Sequence, residues 1–244
     1  MLKKLFILIF LFIFVESCAS NKIINQEISD AQKINGTDEM KEIRYVAIGD
    51  SYTIGEGIDQ KKSWPVLLTN HLISNGIKIK LIANPSRTGW TTQQAIEREL
   101  PVFKDSNPDF ATLLIGVNDW VQGADKEDFR ARFVLLLEQM QALLRDRNKI
   151  IIITIPDFSA TPTGKIFSNG RDISKGIAEF NEIIKQESSK RKLKVVDIYS
   201  ATQEMAKNSE LIADDGLHPS AKEHEIWEEM IYSVAYEMLK DYKK

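Results

Sequence analysis

The chain has 244 residues, of which 43% are hydrophobic and 27% are charged, as in an ordinary globular protein. The formal net charge is −3, and no block rich in Lys and Arg appears. These properties argue against a nucleic-acid partner and allow a single large domain.

The first 17 residues have the pattern of an export signal. Lys3 and Lys4 precede an apolar run from Leu5 to Val15, which is shorter than the roughly 20 residues of a bilayer span. The chain's single cysteine, Cys18, follows in the segment VESC, which resembles the lipobox of bacterial lipoproteins. The resemblance implies a lipidated Cys18 and an extracytoplasmic protein anchored to a membrane of the bacterial cell envelope. An uncleaved anchor and ordinary secretion are the alternatives.

Residues 18–41 are rich in Asn, Gln, Ser and charge, which predicts a flexible tether. From residue 42 onward, short apolar runs alternate with helical patterns. Strands are predicted at 43–48, 77–83, 110–115, 149–155 and 194–198, and helices at 63–75, 92–100, 126–145, 174–191 and 221–240. This alternation predicts a single α/β domain over residues 42–244, with a parallel sheet covered by helices on both faces.

Three segments follow the first three predicted strands, where functional groups collect in such sheets. GDSYTIGEG contains Ser51, either a helix N-cap or a nucleophile favoured by the helix N-terminus. NPSRTGWTT contains Gly89, which serves a turn or lets a backbone N–H approach a ligand. GVNDW contains Asn118, a turn-former or a donor to an oxyanion. Spacing alone leaves each choice open.

The segment DDGLHP, residues 214–219, contains one of the three histidines of the chain. Pro219 favours an extended backbone at His218, just before the last predicted helix. Asp215 can fold back to accept the Nδ1 proton, which leaves Nε2 as a base. His71 and His224 fall inside helical patterns and are interpreted as surface or packing residues. The sequence shows no group of ligands at metal-binding spacing, so no metal or cofactor is expected.

GDSYTIGEG, the Gly89 segment, GVND and DGLHP resemble, in order, the sequence blocks of the SGNH or GDSL-type hydrolases. The resemblance runs from about Arg44 to the last helix. It implies a three-layer α/β/α domain with a five-stranded, flavodoxin-like parallel sheet, and it assigns the roles. Ser51 is the nucleophile and His218 the general base and acid, oriented by Asp215 rather than Asp214. The backbone N–H groups of Ser51 and Gly89, with the Asn118 side chain, form the oxyanion hole.

Three functions are compatible with this pattern. The first is an ester hydrolase acting on acylated carbohydrate or on lysophospholipid and related acyl esters. The second is an O-acyltransferase that uses the same acyl-enzyme, and the third is a catalytically silent glycan- or lipid-binding lipoprotein. Tyr52, Trp90, Trp120 and Phe158 fall on the predicted carboxyl-end loops, where they could line a cleft. Neither the natural substrate nor the oligomeric state follows from the sequence.

Overall fold

The protein is described by a computed structural model that covers residues 42–242. The predicted signal peptide at 1–17, Cys18 and the predicted tether at 18–41 lie outside the described residues and stay predictions. Within residues 42–242, none of the helices combines the length and the apolar character needed to cross a membrane.

Five parallel strands form one sheet in the order β2-β1-β3-β4-β5. They are β1 (Ile43–Gly49), β2 (Ile79–Ala83), β3 (Phe110–Leu114), β4 (Ile150–Ile153) and β5 (Lys194–Val196). This is the flavodoxin-like order, so the predicted sheet is confirmed. Strands β3 and β4 are buried at every position because helices cover both faces of the sheet, which explains their predominantly apolar sequences.

The helices connect and cover these strands. They are α1 (Ser51–Ile54), α2 (Trp64–Ser74), α3 (Thr92–Gln94), α4 (Leu100–Ser106), α5 (Val117–Val121), α6 (Lys126–Leu143), α7 (Ile173–Lys190), α8 (Tyr199–Thr202) and α9 (Ala221–Leu239). A π-helical turn, Ala95–Glu99, joins α3 to α4, and 3₁₀ turns lie at Gln60–Lys62, Phe158–Ala160, Gly164–Phe167, Gln203–Ala206, Ser209–Leu211 and Lys240–Tyr242. Helix α2 packs against α9, and α6 packs against α4 and α7. These contacts form the helical layers of the three-layer domain.

The long predicted helices match α2, α6, α7 and α9 to within two residues at each end. The predicted helix at 92–100 begins at its Thr91–Gln94 capping box but continues to Ser106. Pro101 lies inside this longer helical segment, and a proline in a helix removes one backbone hydrogen bond. The π-helical turn directly before Leu100 lets the helix pass this proline. Helices α1, α5 and α8 are too short to give a periodic pattern and were not predicted.

His224 connects the two helices of the α2–α9 layer. Its side chain is fully buried, and its Nδ1 accepts the backbone N–H of Trp64, the first residue of α2, at 3.2 Å. Burial, followed by repulsion from His218, lowers the pKa of His224 to about 3. The ring is therefore neutral and satisfies one of the free N–H groups at the start of α2. Of the two roles considered for this residue, surface or packing, its burial fits packing, and it also makes a capping interaction.

Replacing His224 with Asn keeps an acceptor near the Trp64 N–H but removes the titrating ring. The folded-state pKa lies below the usual 6.5, so at low pH only the unfolded chain gains this proton. The neutral His224 ring therefore contributes fully to the free energy of unfolding above about pH 6.5, and this contribution falls as the pH drops towards 3. We expect the wild type to lose about 2–3 kcal/mol more free energy of unfolding than H224N between pH 7 and 4.5. Urea unfolding at both pH values measures this; equal losses would contradict it.

Candidate active site

The strand order brings the first and third strand ends together. β1 lies between β2 and β3 in the sheet, so the connections leaving β1 and β3 run in opposite directions. Open α/β sheets bind ligands in the crevice at such a switch point, outside the carboxyl ends of the strands. Ser51 lies two residues after the end of β1, and Asn118 lies on α5 after β3. The topology therefore places both predicted residues at one edge of the sheet.

Ser51 occupies a tight turn between β1 and α1. A Cβ on Gly49 would come within 2.1 Å of Thr53 Oγ1 and 2.5 Å of the Leu114 carbonyl oxygen, so this position has room only for glycine. Asp50 is the N-cap residue of α1, and its side chain accepts the Tyr52 N–H at 3.1 Å. The cap is therefore Asp50 rather than Ser51. Ser51 does not cap the helix, and it lines a cavity.

The DDGLHP segment holds His218 against Asp215. The Nδ1–H of His218 donates to Asp215 Oδ2 at 2.6 Å, while the backbone N–H groups of Leu217 and His218 donate to Oδ1 at 2.8 and 2.9 Å. Burial acts to raise the pKa of Asp215, but these hydrogen bonds lower it below its usual value. An ionised Asp215 fixes the imidazole tautomer with the proton on Nδ1, which leaves Nε2 free to accept one. The carboxylate that contacts the His218 ring is that of Asp215.

The two other predicted oxyanion donors come from neighbouring loops. Gly89 has a φ of +82°, and a Cβ added there would meet no atom within 4 Å, so the backbone conformation alone favours glycine. The side-chain amide of Asn118 donates one N–H to the Trp90 carbonyl at 2.9 Å. This bond orients the amide and leaves its second N–H available. The neighbouring Asp119 is tied to the backbone N–H and hydroxyl of Thr92 at 2.8 and 2.5 Å, which joins the two loops.

A cavity of about 180 Å³ brings these groups together. Its wall includes all the predicted nucleophile, base and oxyanion residues: Ser51, Gly89, Asn118 and His218. The rest of the wall is largely apolar and consists of Tyr52, Val117, Val121, Phe158, Phe167 and Leu217, with Thr88. Of the four aromatic residues singled out in the sequence, Tyr52 and Phe158 line the cavity. Trp90 and Trp120 are not part of the wall, and Trp120 instead packs edge-on against Phe158 at a centroid distance of 5.8 Å.

The loop after β4, residues 154–172, has no periodic signal and its contacts were not predicted. It contributes Phe158 and Phe167 to the cavity. The Thr163 N–H donates to the Gly216 carbonyl at 3.0 Å, and the Thr163 hydroxyl donates to the Asp215 carbonyl at 3.3 Å. The loop that closes the cavity is thus hydrogen-bonded to the loop that carries His218.

Arg171 fixes the far end of the same loop. Its guanidinium lies 3.9 Å above the Trp120 ring and donates to the carbonyls of Trp120 and Val121 at 2.6 and 3.0 Å. These are the last residues of α5, the helix that carries Asn118. Only the tertiary structure shows this contact, because 50 residues separate the partners Arg171 and Val121.

His71 and Glu228 meet away from the cavity, where His71 Nδ1 lies 3.1 Å from Glu228 Oε1 and the imidazole stacks on Tyr232 at 3.6 Å. Glu229 also has a carboxylate oxygen within 4.8 Å of this pair. His71 lies 157 positions from Glu228 in the sequence, so spacing did not reveal the cluster. His71 is half-buried at the α2–α9 contact, in agreement with the surface or packing role expected for it.

The cavity combines a serine hydroxyl, an imidazole oriented by a carboxylate, and N–H donors on neighbouring loops. These are the groups that acyl transfer through a covalent serine intermediate requires. Residues 47–226 match the model of the GDSL-like lipase/acylhydrolase family, and this match covers most of the chain. The chain belongs to this family. The predicted family and the predicted enzyme class, carboxylic ester hydrolase, are therefore confirmed.

Relatives and solved structures agree with this assignment. An arylesterase from Vibrio mimicus is 24% identical over 177 residues, which cover 72% of this chain and 80% of the relative. A lipase/acylhydrolase from Enterococcus faecalis has a TM-score of 0.67 at 22% identity, covering 81% of this chain and 97% of the other. An esterase from Pseudoalteromonas sp. has a TM-score of 0.64 at 20% identity, covering 82% and 100%. The structural matches establish the same fold.

Replacing Asp215 with Asn tests the orientation of His218. The amide cannot stabilise the imidazolium and favours the wrong tautomer, so we expect kcat for an ester substrate to fall by about 10⁴. D214N is the matched control, because Asp214 is the exposed neighbouring acid and makes none of the contacts with His218 described above. Steady-state kinetics should show near wild-type kcat for D214N. Equal losses in both variants would contradict the specific role of Asp215.

Proposed function

We propose that the protein hydrolyses carboxylic esters through an acyl-enzyme on Ser51, with His218 as general base and acid and Asp215 as its orienting carboxylate. The observation that carries this proposal is the shared cavity: Ser51 and His218 both line it, and the 2.6 Å bond from His218 to Asp215 leaves Nε2 as the proton acceptor. Family membership supports the reaction class.

The steps follow from the positions of these groups. His218 Nε2 takes the hydroxyl proton of Ser51 as Oγ attacks the ester carbonyl carbon. Negative charge then develops on the carbonyl oxygen, and the N–H groups of Ser51, Gly89 and Asn118 are the donors proposed to stabilise it. His218 next returns the proton to the departing alcohol. Water attacks the acyl-enzyme by the same route, with His218 again accepting and then donating a proton, and releases the acid.

The cavity supports a short acyl group. At about 180 Å³ it is smaller than the roughly 300–1,000 Å³ of pockets that enclose drug-sized ligands. Its apolar wall favours the hydrocarbon part of an acyl group over a charged one. Of the two substrate classes compatible with the sequence, this size favours acylated carbohydrate, with acetyl or another short acyl group, over esters of long fatty acids. The arylesterase relative supports aryl esters as assay substrates.

A fluorophosphonate probe and a panel of p-nitrophenyl esters test this function. We expect the probe to label the wild type but not S51A. We expect kcat/KM to be highest for acetyl to butyryl esters and to fall at least tenfold, about 1.4 kcal/mol of transition-state free energy, for acyl chains of eight carbons or more. Highest activity on long chains would overturn the proposed acyl preference but leave the reaction class intact.

The same assay separates hydrolysis from the two other functions. Diversion of the acetyl group from water to an added glycan hydroxyl would identify a transferase. A folded protein that neither reacts with the probe nor cleaves any ester would be a binding protein. The intact Ser51, Asp215 and His218 argue against this last outcome.

We further propose that the enzyme is lipid-anchored through Cys18 on the extracytoplasmic side of a bacterial membrane. The basic start, the short apolar run and the cysteine three residues after it support this location. An acyl ester substrate in the cell envelope would then meet a tethered enzyme.

Replacing Cys18 with Ser removes the acceptor thiol. We expect C18S to leave the membrane fraction or to accumulate with its signal uncleaved, and to lose incorporation of a labelled fatty acid. Fractionation with metabolic labelling measures both effects. Firm membrane association of a cleaved C18S protein would contradict the lipid anchor without affecting the proposed reaction.

A further inference from the structure

A buried acid lies behind the nucleophile turn and has no role in the mechanism above. Glu99 ends the π-helical turn, and its side chain is completely buried. Its Oε2 accepts the backbone N–H of Gly49 at 3.0 Å. Gly49 is the last residue of β1 and stands two residues before Ser51. The carboxyl group of Glu99 therefore fixes the backbone where the nucleophile turn begins.

A second buried acid, Asp50, belongs to the same turn. It is fully buried, and its Oδ1 accepts the Tyr52 N–H at 3.1 Å. Three buried oxygens around this turn have no hydrogen-bond partner among the described residues: Asp50 Oδ2, Glu99 Oε1 and Thr53 Oγ1. Such atoms are costly to bury, so a carboxyl proton that can satisfy some of them is favoured.

The surroundings disfavour a negative charge on either acid. Within residues 42–242, neither Asp50 nor Glu99 takes part in an ion pair, whereas the neighbouring acid Asp119 has Arg132 at 3.8 Å. Burial, together with a smaller contribution from repulsion by Asp119, raises the pKa of Asp50 to about 8, although the hydrogen bond from the Tyr52 N–H acts to lower it. Burial also raises the pKa of Glu99 well above its usual value, and Asp50 adds repulsion. A buried charge without a counterion is strongly unfavourable, so both groups are neutral near pH 7.

We propose that Glu99 is a positioning residue for the nucleophile, acting as a neutral carboxylic acid that holds Gly49 and thereby the turn that presents Ser51. This inference rests on the proposed function, because the effect on turnover requires Ser51 to be the attacking group. Ionisation of Glu99 or Asp50 would place an unpaired negative charge beneath the turn, next to the charge on Asp119. The turn would loosen, and activity would decline at alkaline pH.

Three variants separate a positioning role from a merely structural one. E99Q reproduces the neutral acid, because its amide oxygen can accept the Gly49 N–H and its amide N–H groups can donate. E99A removes the acceptor, and E97Q is the matched control on the exposed side of the same helical turn. We expect E99A to lower kcat roughly 10–100-fold with KM changed less than threefold. E99Q should stay within threefold of wild-type kcat, and E97Q should be unchanged. A loss in E99Q as large as in E99A would overturn the proposal.

A stability measurement tests the protonation state independently of activity. A carboxyl group whose pKa is raised in the folded protein stabilises the fold at low pH. That contribution is lost as the pH rises above the pKa of the group in the unfolded chain. We therefore expect Tm of the wild type to fall by roughly 2–4 °C more than Tm of E99Q between pH 6 and 9. A difference that does not change with pH would show that Glu99 is not a neutral acid.

These two measurements also separate failure of this proposal from failure of the proposed function. A wild-type protein that cleaves no ester and does not react with the fluorophosphonate would refute the enzymatic role. The Tm comparison would still report on the proton of Glu99. An active wild type with an unaffected E99A would refute the positioning role alone.

Discussion

The arrangement of the active-site residues depends on one constraint, the closure of the DDGLHP loop around the Asp215 carboxylate. Three N–H groups of the loop, from the backbone of Leu217 and from the backbone and ring of His218, point at this one side chain. The backbone pairing of Ala213 with His218 at 2.8 Å closes the loop from the other side. Because the same carboxylate shapes the loop and orients the imidazole, the loop conformation and the direction of His218 are set together. The other functional residues of the cavity, Ser51, Gly89 and Asn118, must then lie near the position that this loop gives the imidazole.

The order of the strands in the sheet brings these residues close to the imidazole. β1 and β3 are neighbours although the chain between them forms β2 and the helical segment that includes the π-helical turn, and their loops approach the DDGLHP loop at one edge. Buried polar contacts then lock the loops to each other. Asp119 holds Thr92, Asn118 holds the Trp90 carbonyl, and Glu99 holds Gly49. Each contact joins segments distant in sequence, so the site is rigid because the loops share hydrogen bonds, although each loop by itself is short.

The sequence predicted those parts of the molecule that are determined by interactions between residues close together in the chain. The apolar strands, the capped long helices and the polar residues that follow strand ends each leave a pattern within a few residues. Glu99 left none, because AIERE reads as an ordinary amphipathic helix with two acids. Its side chain is buried on the same side of the turn as Ala95, whereas Glu97 is exposed, and its partner Gly49 lies 50 positions away in the sequence. The roles of Phe167 and Arg171, in the loop after β4, were missed for a related reason. Arg171 bonds to the carbonyls of Trp120 and Val121, 51 and 50 positions away, and Phe167 lines a cavity whose wall comes from several loops.

The Thr163 contacts have a consequence for how such an enzyme can diversify. The segment that supplies Phe158 and Phe167 to the cavity wall is bonded to the carbonyls of Asp215 and Gly216. An insertion or deletion in that segment that admits a different ester would also disturb the hydrogen bonds from Thr163 to the loop that holds His218. A length change that alters substrate preference would therefore also change kcat, unless the hydrogen bonds of Thr163 are kept. New specificities in this scaffold should arise more readily from side-chain exchange at the two phenylalanines than from changes in segment length.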